Sequence, residues 1–139
     1  MKDRKKILIN YRMEQAEQAI KDTEILLNEG GSPGSIINRA YYAMFYAILA
    51  LLVKVDKGTS KHSGAIALFD QYFVKEKIFP KDMSYTLHKS FDMRQMSDYR
   101  ELVKVNNEDA EEMLQKAREF VTEVREYLSR KLTGEEEML

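Results

Sequence analysis

Fourteen consecutive residues, Ala40 to Val53 (AYYAMFYAILALLV), are apolar or tyrosine, with Arg39 before the run and Lys54 after it. Crossing a hydrocarbon core takes about twenty apolar residues, so a run this short is a helix buried in protein and not in lipid. Ser32 is placed to cap its first turn, and Pro33 suits its first helical position. On a helical wheel Ile37, Tyr41, Met44, Ile48, Leu51 and Val55 form one face; Tyr42, Tyr46, Leu49 and Val53 form a second on roughly the opposite side. A helix apolar on both sides has to be covered on both, by sibling helices or by a second copy of the chain. The second face is therefore the expected contact of a homodimer.

The rest of the chain supplies the siblings. Between Asp3 and Glu29, Ile9, Met13, Ala16, Ile20, Thr23 and Leu27 recur at steps of four and three, an amphipathic helix stopped by Gly30 and Gly31. The loop to the buried helix is short, so the two are antiparallel. Asp56, Lys57 and Gly58 end the buried helix, and Thr59 or Ser60 caps a short third one with Ala65, Ile66, Phe69 and Phe73 inward. A fourth, about 83–103, carries Met83, Leu87, Phe91 and Leu102 on one stripe. Asn106 or Asn107 caps a long fifth, with Ala110, Met113, Leu114, Ala117, Val121, Val124, Leu128 and Leu132 in nearly heptad order. No segment alternates with period two. The expected fold is all-α, an up-and-down bundle of four long helices plus one short helix, in a single domain over residues 1–132 followed by a frayed acidic tail at 133–139.

Composition removes several chemistries. The absence of cysteine excludes disulfides, thiolate metal ligands and a cysteine nucleophile. Twenty-two basic residues against twenty-three acidic ones leave no global field for nucleic acid, so any RNA contact has to be local. The basic N-terminus has no apolar signal region, which points to a cytoplasmic protein with no membrane association. Neither His62 nor His88 has metal-ligand spacing, and no Gly-rich phosphate loop or nucleophile elbow occurs; no metal and no cofactor are expected.

Candidate site residues stand where polar groups interrupt apolar stripes, because burial without a partner is costly. In RQMSDYR of the fourth helix, Arg94 and Asp98 fall in the middle of the Met83-Leu87-Phe91-Leu102 face. Their i, i+4 spacing allows an ion pair, either purely structural or part of a site. Arg39, Tyr42 and Tyr46 share a face of the buried helix. Arginine beside tyrosines suits phosphate contact and base stacking, and equally suits a cation–π or dimer contact.

Taken together, NRAYYAMFYAILALL, KHSGAIALFDQYFV and FDMRQMSDYRE resemble the HEPN family, the higher eukaryotes and prokaryotes nucleotide-binding domain, over about 11–132. The resemblance implies a helical bundle, usually dimeric, that binds nucleotide or RNA. Many members resemble toxins encoded beside a minimal nucleotidyltransferase antitoxin. Many are metal-independent RNases with an arginine followed four to six residues later by histidine, which meet across the dimer. No arginine of this chain has a histidine at that spacing; Arg94 is followed by Ser97, Asp98, Tyr99 and Arg100. The expectation is a toxin-like binding module with Arg39, Tyr42, Tyr46, Arg94 and Tyr99 at the nucleotide or RNA, Tyr99 being also a hydroxyl open to modification. The alternatives are an RNase using Arg94 with His62 or Asp98, and a structural dimer without ligand.

Overall fold

The computed structural model of the protein describes residues 2–97 and 105–137. Five helices run in order among them: α1 (Lys2–Asn28), α2 (Pro33–Lys54), α3 (His62–Phe69), α4 (Lys81–Ser97) and α5 (Asn107–Glu137). A π-helical turn, Asp70–Val74, continues α3. Among the described residues there is no strand, and the four long helices and one short one form the all-α bundle that the periodicities predict.

The run at 40–53 is the axis of the bundle. α2 packs against α1, α3, α4 and α5, and Ile37, Tyr41, Met44, Ile48 and Leu51 on its first face are all fully buried. By length and composition α2 would pass for a membrane span, yet 67% of its most apolar window is buried inside the protein, which makes it a core helix. Its second face, Tyr42, Tyr46, Leu49 and Val53, is only half-buried. The inward residues of α5 are its predicted heptad positions, with Phe120 added to them.

Ion pairs mark the directions of the outer helices. Lys5 near the start of α1 meets Asp56 just after α2 at 3.1 Å, and Arg118 and Arg125 of α5 meet Glu24 and Glu17 of α1 at 3.2 and 2.7 Å. Both pairs of helices are thus antiparallel.

Helix ends follow the chemistry of left-handed stops. Gly30 (φ 78°) ends α1, with Gly31 N–H donating to the Leu26 carbonyl, and a Cβ at Gly31 would come within 2.9 Å of that oxygen. The same closure ends α2 at Asp56 (φ 57°), where Lys57 N–H donates to the Leu52 carbonyl at 3.0 Å, and not at Gly58. It ends the π turn at Lys77 (φ 60°), with Ile78 N–H on the Phe73 carbonyl at 2.9 Å.

Helix starts agree less evenly. The Ser32 hydroxyl accepts from Ser35 N–H as expected. Asn106 and Asp109 cap each other reciprocally at the start of α5, at 2.9 and 3.2 Å. Neither Thr59 nor Ser60 caps α3: the Thr59 hydroxyl closes a tight turn on Lys61 N–H, so the helix begins at His62. α4 starts at Lys81, two residues before the expected Met83, and the stretch that holds Leu102 lies outside the described residues. Helical backbone in α5 reaches Glu137, beyond the start of the frayed tail expected at 133.

Candidate functional site

Where α2, α3 and α4 converge, Arg94 reaches from the last turn of α4 onto the first half of α2. Its Nε donates to Asn38 Oδ1 at 3.0 Å and its Nη2 to the Tyr42 hydroxyl at 3.1 Å. The guanidinium carbon also lies 5.3 Å from the Tyr41 ring centre and 5.2 Å from that of Tyr42, within cation–π range of both. Arg39, one turn before Tyr42, places its own guanidinium 5.4 Å from the Tyr42 ring. Two arginines thus address one half-buried tyrosine.

His62 completes the group from α3. Its ring stacks on Phe45 at 4.1 Å and 7°, meets Tyr42 edge-on at 5.8 Å, and places Nδ1 2.8 Å from the Tyr41 hydroxyl. The late start of α3 is what brings this side chain onto α2. Burial holds the His62 pKa below its ordinary value, and the charge of Arg94 lowers it further. Burial also raises the Tyr41 phenol well above its ordinary value, outweighing Arg94, which acts in the opposite direction. At neutral pH the site therefore holds the fixed cation of Arg94, a neutral imidazole and a protonated phenol. Cation, N–H donors and half-exposed aromatic faces match a phosphate and an adjoining base.

Comparison with known proteins gives the family. The HEPN domain profile matches residues 9–127. The chain belongs to the HEPN family. A "UPF0332 protein" of Thermotoga maritima is 35% identical over 121 residues, 87% of this chain and 90% of the relative. Two Methanocaldococcus jannaschii proteins are similar as well. The one named "Putative toxin MJ0142" is 30% identical, covering 88% of this chain and 84% of its own length; "Putative toxin MJ0605" is 32% identical, covering 86% and 88%.

Within this HEPN domain, four of the residues singled out from sequence meet at one place: Arg39, Tyr42, His62 and Arg94. Tyr46 stands one turn further along α2, with its ring 5.9 Å from that of Tyr42. Asp98 and Tyr99 lie outside the described residues, and with them the expected Arg94–Asp98 pair. Asn38 and Tyr41 are additions. Asn38 could have been found as a polar residue one turn before Tyr42; Tyr41 stood in the sequence only as part of the buried face.

Other polar groups of the domain form separate structures. His88 Nε2 and Ser84 Oγ both bond the carboxylate of Asp70, at 2.7 and 2.6 Å. The serine donates to the carboxylate and not to the histidine, and the trio ties α4 to the π turn. A shallow groove of about 550 Å³ between α4 and α5 is floored by Met83 and Phe120 and rimmed by Asp82, Glu119 and Glu123. Its carboxylates repel a polyanion. Among the described residues no three His, Asp or Glu side chains cluster in a way that would hold a metal ion.

Proposed function

We propose that this HEPN domain is an RNA- or nucleotide-binding module, the toxin-like half of a pair whose other member is a minimal nucleotidyltransferase. The observation that carries the binding reading is Arg94, laid against Tyr41 and Tyr42 and directed by Asn38, with His62 beside it. The phosphate sits at Arg94 and His62, and a base stacks on the half-exposed rings of Tyr42 and Tyr46, with Arg39 flanking; Tyr99, outside the described residues, is a further proposed contact. Relatives named "Putative toxin" support the toxin-like part of this reading, and the expected compartment is the cytoplasm. Two copies associate through the second face of α2, with Leu49 and Val53 at the contact and Tyr42 and Tyr46 at its edge, still open to the base.

The test is fluorescence anisotropy of a labelled single-stranded RNA pool with wild-type protein and with Arg94→Met, both checked for folding by circular dichroism. Arg94 as a phosphate ligand predicts at least about a tenfold loss of affinity in the variant, the worth of one charge-assisted hydrogen bond. Equal binding by the two proteins rejects the site. Light scattering at micromolar concentration tests the dimer, and a monomer rejects that part.

A second reading, a metal-independent RNase using Arg94 with His62 or Asp98, draws on the approach of a low-pKa histidine to an arginine from a different helix. Incubation of the same RNA in EDTA separates the two: cleavage by wild type and not by Arg94→Met selects the RNase.

A further inference from the structure

Tyr41 is fully buried, and its hydroxyl proton needs an acceptor, because an unmade hydrogen bond at a buried donor is costly. Arg94 lies over the ring but has donors only. Among the described residues, the group bonded to the hydroxyl is Nδ1 of His62, at 2.8 Å. Tyr41 is therefore the donor of this bond and Nδ1 the acceptor. A neutral imidazole carries one ring proton, which leaves it on Nε2. The Phe45 face, stacked at 4.1 Å, and the Tyr42 ring, set edge-on, fix the plane of the imidazole and with it the direction of that N–H.

We propose that Tyr41 is a positioning residue that holds His62 as its neutral Nε2–H tautomer, so that His62 donates a hydrogen bond to a non-bridging phosphate oxygen of RNA beside Arg94. This rests on the phosphate reading above and decides the part His62 plays in it. A base that takes the proton of a 2′-hydroxyl has to present a bare nitrogen, and here the bare nitrogen faces Tyr41. Moving the ring proton to Nδ1 would set two donors against each other and strand the phenol. Protonating the ring does the same, in agreement with the lowered pKa of His62. His62 is thus a donor in binding, and any cleavage by this site takes its base from elsewhere.

The primary experiment is a long-range proton–nitrogen NMR spectrum of wild-type protein labelled with 15N-histidine, which reads the tautomer without any variant. The expected spectrum has His62 Nδ1 unprotonated and Nε2 protonated. A protonated Nδ1, or an exchanging mixture of both forms, overturns the proposal. The binding arm uses a 2′-O-methyl oligoribonucleotide, which cannot be cut. His62→Asn, which keeps an amide only near the Nδ1 position, is expected to weaken binding about tenfold, one hydrogen bond's worth. His62→Gln, whose amide N–H reaches the Nε2 position, is expected to recover most of that loss. Tyr41→Phe is expected to give a mixture of tautomers and an intermediate affinity. Equal affinity in the Asn and Gln variants overturns the donor role. No binding by wild type rejects the phosphate reading and the donor role with it, whereas a protonated Nδ1 in a protein that binds RNA through Arg94 rejects this inference alone.

Discussion

The contact between Arg94 and Tyr42 is open to a double-mutant cycle, which isolates one pair whatever else the guanidinium touches. Tyr42→Phe removes the hydroxyl that accepts from Arg94 Nη2 at 3.1 Å and keeps the ring 5.2 Å from the guanidinium. Arg94→Met removes the charge and keeps much of the stem. A hydrogen bond to a charged group contributes about 1.5–3 kcal/mol when well buried. Both side chains here are half-buried, so we expect a coupling of about 1 kcal/mol, equal to about 2–4 °C in melting temperature for a chain of this size. Replacing Tyr42 by Leu also removes the aromatic face and should raise the coupling to about 1.5–2 kcal/mol, since an exposed cation–π contact adds about 0.5–1 kcal/mol. Urea unfolding of the four proteins gives the free energies. Repeating it in about 1 M salt, where screening acts beyond about 3 Å, should change little, because the acceptor is a neutral phenol. A coupling inside the additivity scatter of about 0.3–0.5 kcal/mol refutes the placement of Arg94 on Tyr42. One that collapses in salt assigns the energy to an ion pair instead.

Acid stability should carry the mark of His62. Its pKa is lowered on folding from 6.5, so below that value the unfolded chain binds more protons than the folded one; the stability it contributes is complete above pH 6.5 and is lost as pH falls through the folded value. Chemical denaturation of wild type and His62→Gln between pH 7 and pH 5 should show the steeper loss in wild type, and parallel curves would contradict it. Leu51→Ala empties a fully buried position on the axis helix and should cost about 2–5 kcal/mol by the same assay; a loss below about 1 kcal/mol would place α2 outside the core. Lys77 holds a left-handed conformation that glycine adopts without strain, so Lys77→Gly should raise stability by about 0.5–1 kcal/mol after the entropic penalty of glycine. A lower urea midpoint in that variant would count against the closure at Phe73.

Most of the fold was legible because burial repeats with the period of the helix. The stripes of α1, α3, α4 and α5 and both faces of α2 are visible in the order of apolar residues, and the first stop was marked by glycine. The stop of α2 was placed at 56–58, where it falls, but that it turns on Asp56 was not marked, nor was the stop at Lys77, since a left-handed aspartate or lysine carries no signal of its own. The start of α3 was misplaced because Thr59 had two local bonds open to it, a helix cap and a tight turn, and the turn formed. For the site, the wheel showed that Arg94 points inward, but spacing along one helix offered only Asp98 as its partner. Its described partners, Asn38 and Tyr42, stand on another helix more than fifty residues earlier, and contacts at that range leave no periodic trace in one sequence. Tyr41 was read as core and nothing more, because a wheel registers burial and says nothing of where a hydroxyl proton goes.

Core and candidate site share one helix, α2. Successive residues on a helix point about 100° apart, so of the adjacent pair Tyr41 and Tyr42 one is fully buried and the other half-exposed. Arg94 lies over both rings, and His62 is bonded to the first and edge-on to the second. The buried tyrosine is held by the packing of α2 against its neighbours and cannot move without opening the core. Each polar group that touches it is therefore referenced to the most rigid part of the domain. The half-exposed tyrosine carries that precision to the surface, where Arg39 and Tyr46 extend it along α2. On the binding reading proposed above, fixing a donor and a guanidinium in place before a ligand arrives lowers the ordering cost of binding, and the arrangement follows from the stability of the bundle itself.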